Sequence, residues 1–328
     1  METFKTVRGV PTKVVCYGKH VDDDLNDVNF LILVFPGNPG LVDYYKEFMT
    51  EIHRFLSDKY PDTPIPVWAI SHAGHQRDDL AHHLFPSLEE NEHLYSLEGQ
   101  CNHKFEFVKE YIPSHIKVTG IGHSIGCKAW SEVIKMLDVA RGTVVDPQVV
   151  IDEKIPESLP EVVKCFMLFP TLEHMAKTPN GKWFTGLIPY YGFLEPFVRL
   201  VTVLPTLFHR MMLNVYFFGK SVPDSVKRTS LQIFRSDIFH KILYMAKCEM
   251  EFVLDLDVAT LDRNLDKLFF CFSQTDGWMP LEYVDDMKNK FPKMKFQICE
   301  RGVEHAFVIK HSVLIAEAIC SQLDIYNK

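Results

Sequence analysis

The chain has 328 residues, 47% hydrophobic and 24% charged, enough apolar content to build a large core and too much for a disordered chain. A formal net charge of −8 supplies no basic face for a phosphate backbone and argues against nucleic acid as a partner. The eight cysteines are scattered without a C-x-x-C pair, and the opening METFKTVRGVPTKVVCYGK has no apolar h-region, so the reading is a reducing compartment and no secretion.

In chain order, TFKTVRGVPTKVVCYGK reads as an antiparallel hairpin at one edge of a sheet. FLILVFPGNPG (30–40) is an apolar run closed by Pro and Gly, as expected of a strand buried on both faces. DYYKEFMTEIHRFLSDKY (43–60) places Tyr44, Phe48, Ile52, Phe55 and Leu56 on one helical face. Further strands are expected at 66–75, 116–126, 163–171, 267–278 and 295–307, with a helix at 127–138. Strands alternating with helices imply a mainly parallel sheet covered on both faces. The interval 171–265 breaks the alternation and is too long for a loop. The expectation is therefore one α/β domain over 1–328, with a helical cap inserted at 171–265.

IKVTGIGHSIG (116–126) carries the chemistry. A strand, then G-x-S-x-G, then a helix is the context of a nucleophile elbow, which presents Ser124 at the carboxyl end of the sheet. A serine hydroxyl needs a base, and the base needs an orienting acid, in the chain order Ser, acid, His for this fold class. His305 follows the last strand, in EHAF; the competing His311 falls within the next helix, IKHSVLIAEAIC. Asp276 follows the preceding strand, in SQTDGWMP; Glu173, after LFPT, is the alternative acid. The oxyanion needs two preorganised donors. One is the amide of Ile125. The other belongs to Pro36-Gly37-Asn38-Pro39-Gly40, where Pro39 has no N–H and Asn38 is the candidate.

PGNPG, SHAGH (71–75), GHSIG, and the late TDGW and EHAF together resemble the lipid droplet-associated hydrolase family of α/β-hydrolases; LFPTLEHMAKTPNG (168–181) resembles a family segment too. The resemblance runs over nearly the whole chain. It implies a serine esterase fold with nucleophile, acid and base at Ser124, Asp276 and His305. It further implies attachment to lipid droplets and the cytosolic face of the endoplasmic reticulum, and neutral lipid esters, cholesteryl ester first, as substrates. No metal or organic cofactor is called for.

The most apolar stretch is 182–220, with Glu195, Arg199 and Arg210 interrupting it and Pro189, Pro196 and Pro205 set against a single spanning helix. Either it packs as a cap that lines a lipid pocket, or its apolar residues dip into a lipid surface. Trp183, Phe184, Leu187, Tyr190, Phe193, Phe197, Leu204 and Phe208 are the candidate lipid contacts. Two rival functions stand beside the esterase: a droplet-binding or organising protein with a vestigial site, and a soluble thioesterase or peptidase. His72, His75, His82 and His83, with Asp78 and Asp79, fit no compact zinc spacing. VDDDLNDVN (21–29) lacks the glycine and terminal Glu of a calcium loop.

Overall fold

The computed structural model describes residues 1–77, 85–147, 149, 157–187, 190, 196, 199–220, 222–299 and 302–324. Eight described strands form one sheet: β1 (Glu2–Val7), β2 (Val10–Tyr17), β3 (Phe30–Phe35), β4 (Val67–Ile70), β5 (Lys117–His123), β6 (Glu161–Leu168), β7 (Leu268–Ser273) and β8 (Lys295–Cys299). Their order is β1-β2-β4-β3-β5-β6-β7-β8. The β1–β2 hairpin and the β2–β4 pair are antiparallel; every other neighbour is parallel. All the expected strands are found, with the hairpin at the edge.

The apolar runs are continuous because the sheet is covered on both sides. In β3, Leu31, Leu33 and Phe35 enter one core cluster while Ile32 and Val34 enter the other. Trp68 and Ile70 of β4 likewise part from Val67 and Ala69. This is the two-residue period of a pleated strand. Helix α1 (Lys46–Lys59) closes one side with Phe48, Ile52 and Leu56. The other side is closed by α2 (Leu97–Tyr111) and α3 (Ile125–Ala140). Ser96 caps α2 by accepting from the Gly99 amide at 3.1 Å.

Between β6 and β7 the chain forms α4 (Pro179–Leu187), α5 (Thr206–Tyr216), α6 (Asp224–Ser230), α7 (Ser236–Phe252) and α8 (Val258–Arg263). Met245, Cys248 and Met250 of α7 and Leu261 of α8 join the main core. The second half of this segment is thus bolted to the sheet layer. Helices α9 (Leu281–Lys290) and α10 (Ser312–Cys320) complete the covering. No described helix is long and apolar enough to cross a membrane. Cys127, Cys165 and Cys271 are buried free thiols, as small core residues should be.

The strand that leads to Ser124 is seated by one aromatic stack. Phe35 lies on Trp130 of α3 at 4.1 Å between ring centroids. Gly120 of β5 makes room for it, since a Cβ there would stand 2.7 Å from Trp130 Cε2. Gly120→Ala is therefore expected to cost about 2 kcal/mol through overpacking. Urea unfolding of the two proteins measures it; an unchanged midpoint would show that the stack can give way.

Candidate active site

Strand β5 ends at His123, α3 begins at Ile125, and Ser124 is the single residue between them. Its backbone has φ 55° and ψ −122°, a conformation that costs a non-glycine residue roughly 1–3 kcal/mol. The turn persists because the backbone packs too closely for anything else. A Cβ on Gly126 would lie 2.3 Å from the Phe35 carbonyl oxygen, and one on Gly122 would lie 2.8 Å from Cys127 Cα. The Ser124 amide donates to the Leu168 carbonyl at 2.9 Å, which fixes the turn to the end of β6.

His305 lies in the loop after β8, with its Nε2 2.8 Å from Ser124 Oγ. Its Nδ1 lies 2.7 Å from Asp276 Oδ2. The other Asp276 oxygen accepts the amides of Trp278 (2.7 Å) and Met279 (3.2 Å). Burial alone would push this carboxyl up, but His305 and the two amides outweigh it and hold it below its usual range. Asp276 is thus a buried carboxylate, which fixes the arrangement: Nδ1–H donates to it, and Nε2 is left to accept the serine hydroxyl. Glu173 is elsewhere, with Lys290 Nζ at 3.2 Å from its Oε2. His311 immediately precedes α10.

Gly37 packs directly on Ser124; a Cβ there would be 2.9 Å from Ser124 Cβ. Asn38 follows Gly37 directly in the chain, and Ile125 follows Ser124 at the first position of α3. Among the described residues neither the Asn38 nor the Ile125 amide has a hydrogen-bond acceptor. The Asn38 side chain points the other way, its Nδ2 donating to the Ile242 carbonyl (3.2 Å) and to Glu249 Oε1 (3.0 Å) on α7. Beside this loop opens a cavity of about 300 Å³, largely apolar, bordered by Asn38, His123 and Ala306 and roofed by Leu213 and Phe217.

A family model described as lipid-droplet associated hydrolase matches residues 28–308. The chain belongs to the lipid droplet-associated hydrolase family. It is 33% identical to the lipid droplet-associated hydrolase of Drosophila melanogaster over 314 residues, covering 95% of this chain and 94% of that one. It is 27% identical to that of Homo sapiens over 347 residues, covering 98% and 94%. Among solved structures it resembles an esterase from Exiguobacterium antarcticum, with a TM-score of 0.60 at 14% identity and coverage of 98% and 99%. A bromoperoxidase from Bacillus anthracis is similar at a TM-score of 0.60 and 12% identity, covering 97% and 98%. The fold is that of the α/β-hydrolases, as the motifs implied.

The candidate lipid contacts divide. Trp183 (71% exposed), Leu187, Tyr190 and Phe208 are exposed; Phe184 is half-buried against the core, and Leu204 is half-buried. Phe193 and Phe197 lie outside the described residues, as do Asp78, Asp79, His82 and His83. His72 and His75 are buried. No group of three or more His, Cys, Asp or Glu among the described residues is placed to hold a metal. In the acidic turn, Asp22 pairs with Lys5 and Asp27 with Lys19.

Three residues around the family motifs escaped the sequence reading: Tyr45, His123 and Glu249. Glu249 shares the inward stripe of α7 with Met245 and Cys248, and a lone carboxyl on an apolar stripe was the available signal. Burial pushes it up to about 8, with the Asn38 bond pulling the other way. Its folded pKa stands above its ordinary value of 4.5, so the native state holds the extra proton between those values. Stability is present below that window and lost as pH rises through about 8. Glu249→Gln should therefore unfold at a higher temperature than wild type at pH 9, with the gap closing as pH falls toward 5. Melting curves across that range check it; a gap independent of pH would contradict the buried neutral acid.

Proposed function

We propose that the chain is a serine carboxylic-ester hydrolase of neutral lipids, with cholesteryl ester the leading substrate, working at the surface of lipid droplets and on the cytosolic face of the endoplasmic reticulum. The observation that carries this reading is the unbroken hydrogen-bonded line from Ser124 through His305 to a buried, charged Asp276. Ser124 Oγ attacks the ester carbonyl while His305 Nε2 takes its proton. Asp276 holds the imidazole in place and stabilises the imidazolium that forms. The amides of Asn38 and Ile125 receive the oxyanion, each donor contributing about 3–4 kcal/mol. His305 returns the proton to the departing alcohol, leaving an acyl group on Ser124. Water activated by His305 then releases the acid and restores the serine. These steps use side chains, backbone amides and water alone.

The lipid part of the proposal rests on kinship with the lipid droplet-associated hydrolases and on α5. His209, Leu213 and Phe217 turn inward, while Leu207, Met211, Val215 (77% exposed) and, just beyond the helix, Phe218 (87% exposed) are left in the open. A contiguous apolar face of this kind on a folded domain marks a site of lipid or protein contact. Arg199, Arg210 and Lys220 are exposed along the same stretch, where they can reach headgroups. We read 171–265 as a cap whose inner side shapes the ester pocket and whose outer side meets the lipid.

Labelling with a fluorophosphonate and hydrolysis of p-nitrophenyl butyrate, triolein and cholesteryl oleate test the chemistry. Wild type should be labelled and should cleave at least one ester; Ser124→Ala should lose the label and at least about 10⁴-fold in kcat. A folded wild type that takes no label would leave droplet binding or organisation as the better account.

Flotation with triolein droplets coated in phosphatidylcholine tests the surface. Deleting 182–220 should release the protein, and so should the gentler set Leu207→Ser, Met211→Ser, Val215→Ser and Phe218→Ser, which spares the inward face. Cleavage of the soluble ester should survive in the gentler set. A folded variant of that set floating as wild type does would refute the lipid-facing assignment.

A further inference from the structure

His123, the residue before Ser124, is buried at the edge of the cavity and makes two polar contacts, one at each ring nitrogen. Its Nδ1 lies 2.6 Å from Tyr45 Oη and its Nε2 lies 2.9 Å from the carbonyl oxygen of His305. Tyr45 Oη in turn accepts the Gly37 amide at 2.8 Å. The direction of every bond in this line is forced. A carbonyl oxygen can only accept, so Nε2 carries the proton. A neutral imidazole has one N–H, so Nδ1 accepts and Tyr45 donates to it. The tyrosine oxygen is then free to accept from Gly37. Burial, and next the nearby His305, press the His123 pKa down to about 3, which keeps the ring neutral at any working pH.

The ends of this line are the loops that the reaction needs. Gly37 precedes Asn38 and touches Ser124 Cβ closely enough to exclude a side chain of its own. The His305 carbonyl belongs to the same residue whose ring reaches Ser124 Oγ. Phe307 and Phe169 pack edge-on around the His123 ring, at 4.9 and 6.2 Å between centroids. The ring also lies 5.3 Å from that of His305, and being neutral it sets no charge against the imidazolium formed there.

We propose that His123 and Tyr45 are positioning residues: a neutral hydrogen-bonded brace, Gly37 N–H to Tyr45 to His123 to the His305 carbonyl, sets the oxyanion loop and the base loop at a fixed distance from the nucleophile. The proposal rests on the hydrolase reading above. It distinguishes itself from plain core packing through the polar atoms, because an apolar ring or chain of similar size would fill the space without joining the loops.

The test uses the full chain with p-nitrophenyl butyrate, fluorophosphonate labelling and thermal unfolding. His123→Leu should lower kcat about 100-fold with KM within about threefold, the size expected from displacing a catalytic group by about an ångström. His123→Gln should recover to within about tenfold of wild type, because its amide N–H reaches the same carbonyl. Tyr45→Phe should lose about tenfold in kcat. Met287→Ala, a buried change on α9 away from these loops, should lower the unfolding temperature while kcat stays within about twofold. A folded His123→Leu with kcat within about threefold of wild type overturns the brace, and so does a Gln variant as impaired as the Leu variant. If His123→Leu does not fold, unchanged kcat in both His123→Gln and Tyr45→Phe overturns it. A wild type without label at Ser124 removes the hydrolase reading and the brace together, whereas a labelled wild type with indifferent variants removes the brace alone.

Discussion

The site depends on how closely three backbones approach one another at the carboxyl end of the sheet. Gly126 passes the end of β3, Gly122 passes the start of α3, and Gly37 passes the nucleophile itself, each with less room than one methyl group needs. That crowding holds Ser124 in a backbone conformation it would not choose. The placing of Ser124 is therefore a property of the main chain, and the core built on both faces of the sheet supplies the stability that holds it there.

Two buried carboxyls near this point show how surroundings decide chemistry. Asp276 has a histidine and two amides within reach and stays ionised despite its burial. Glu249 has one side-chain amide and is pushed toward the neutral form. One keeps its charge beside His305; the other ties the Asn38 side chain to α7 without bringing a charge beside it. Residue type alone separates neither case.

The sheet was legible because burial on both faces leaves unbroken apolar runs ended by Gly and Pro, as in FLILVFPGNPG. The meeting of Ser124, His305 and Asp276 was legible because each follows a strand of the sheet. Helix α2 was passed over although Leu97, Cys101, Phe105 and Val108 recur at helical spacing. Tyr45 and His123 were hidden for a different reason. Each sits in an apolar setting, and only the folded distances reveal that their polar atoms are joined. The segment from 182 to 220 was legible as apolar but not as sided, since α5 carries apolar residues on its inward and outward faces alike.

That doubling on α5 has a consequence for genetics. The helix is a wall one helix thick, about 10 Å across, between a cavity at the oxyanion loop and the open apolar surface. A truncation or a proline placed in it disturbs both sides at once, so on the proposed function droplet attachment and turnover would be lost together. Substitutions at Leu213 and Phe217 act on the cavity side, and substitutions at Leu207, Met211 and Val215 act on the open side. Only such face-resolved pairs can tell residence at the lipid from choice of ester.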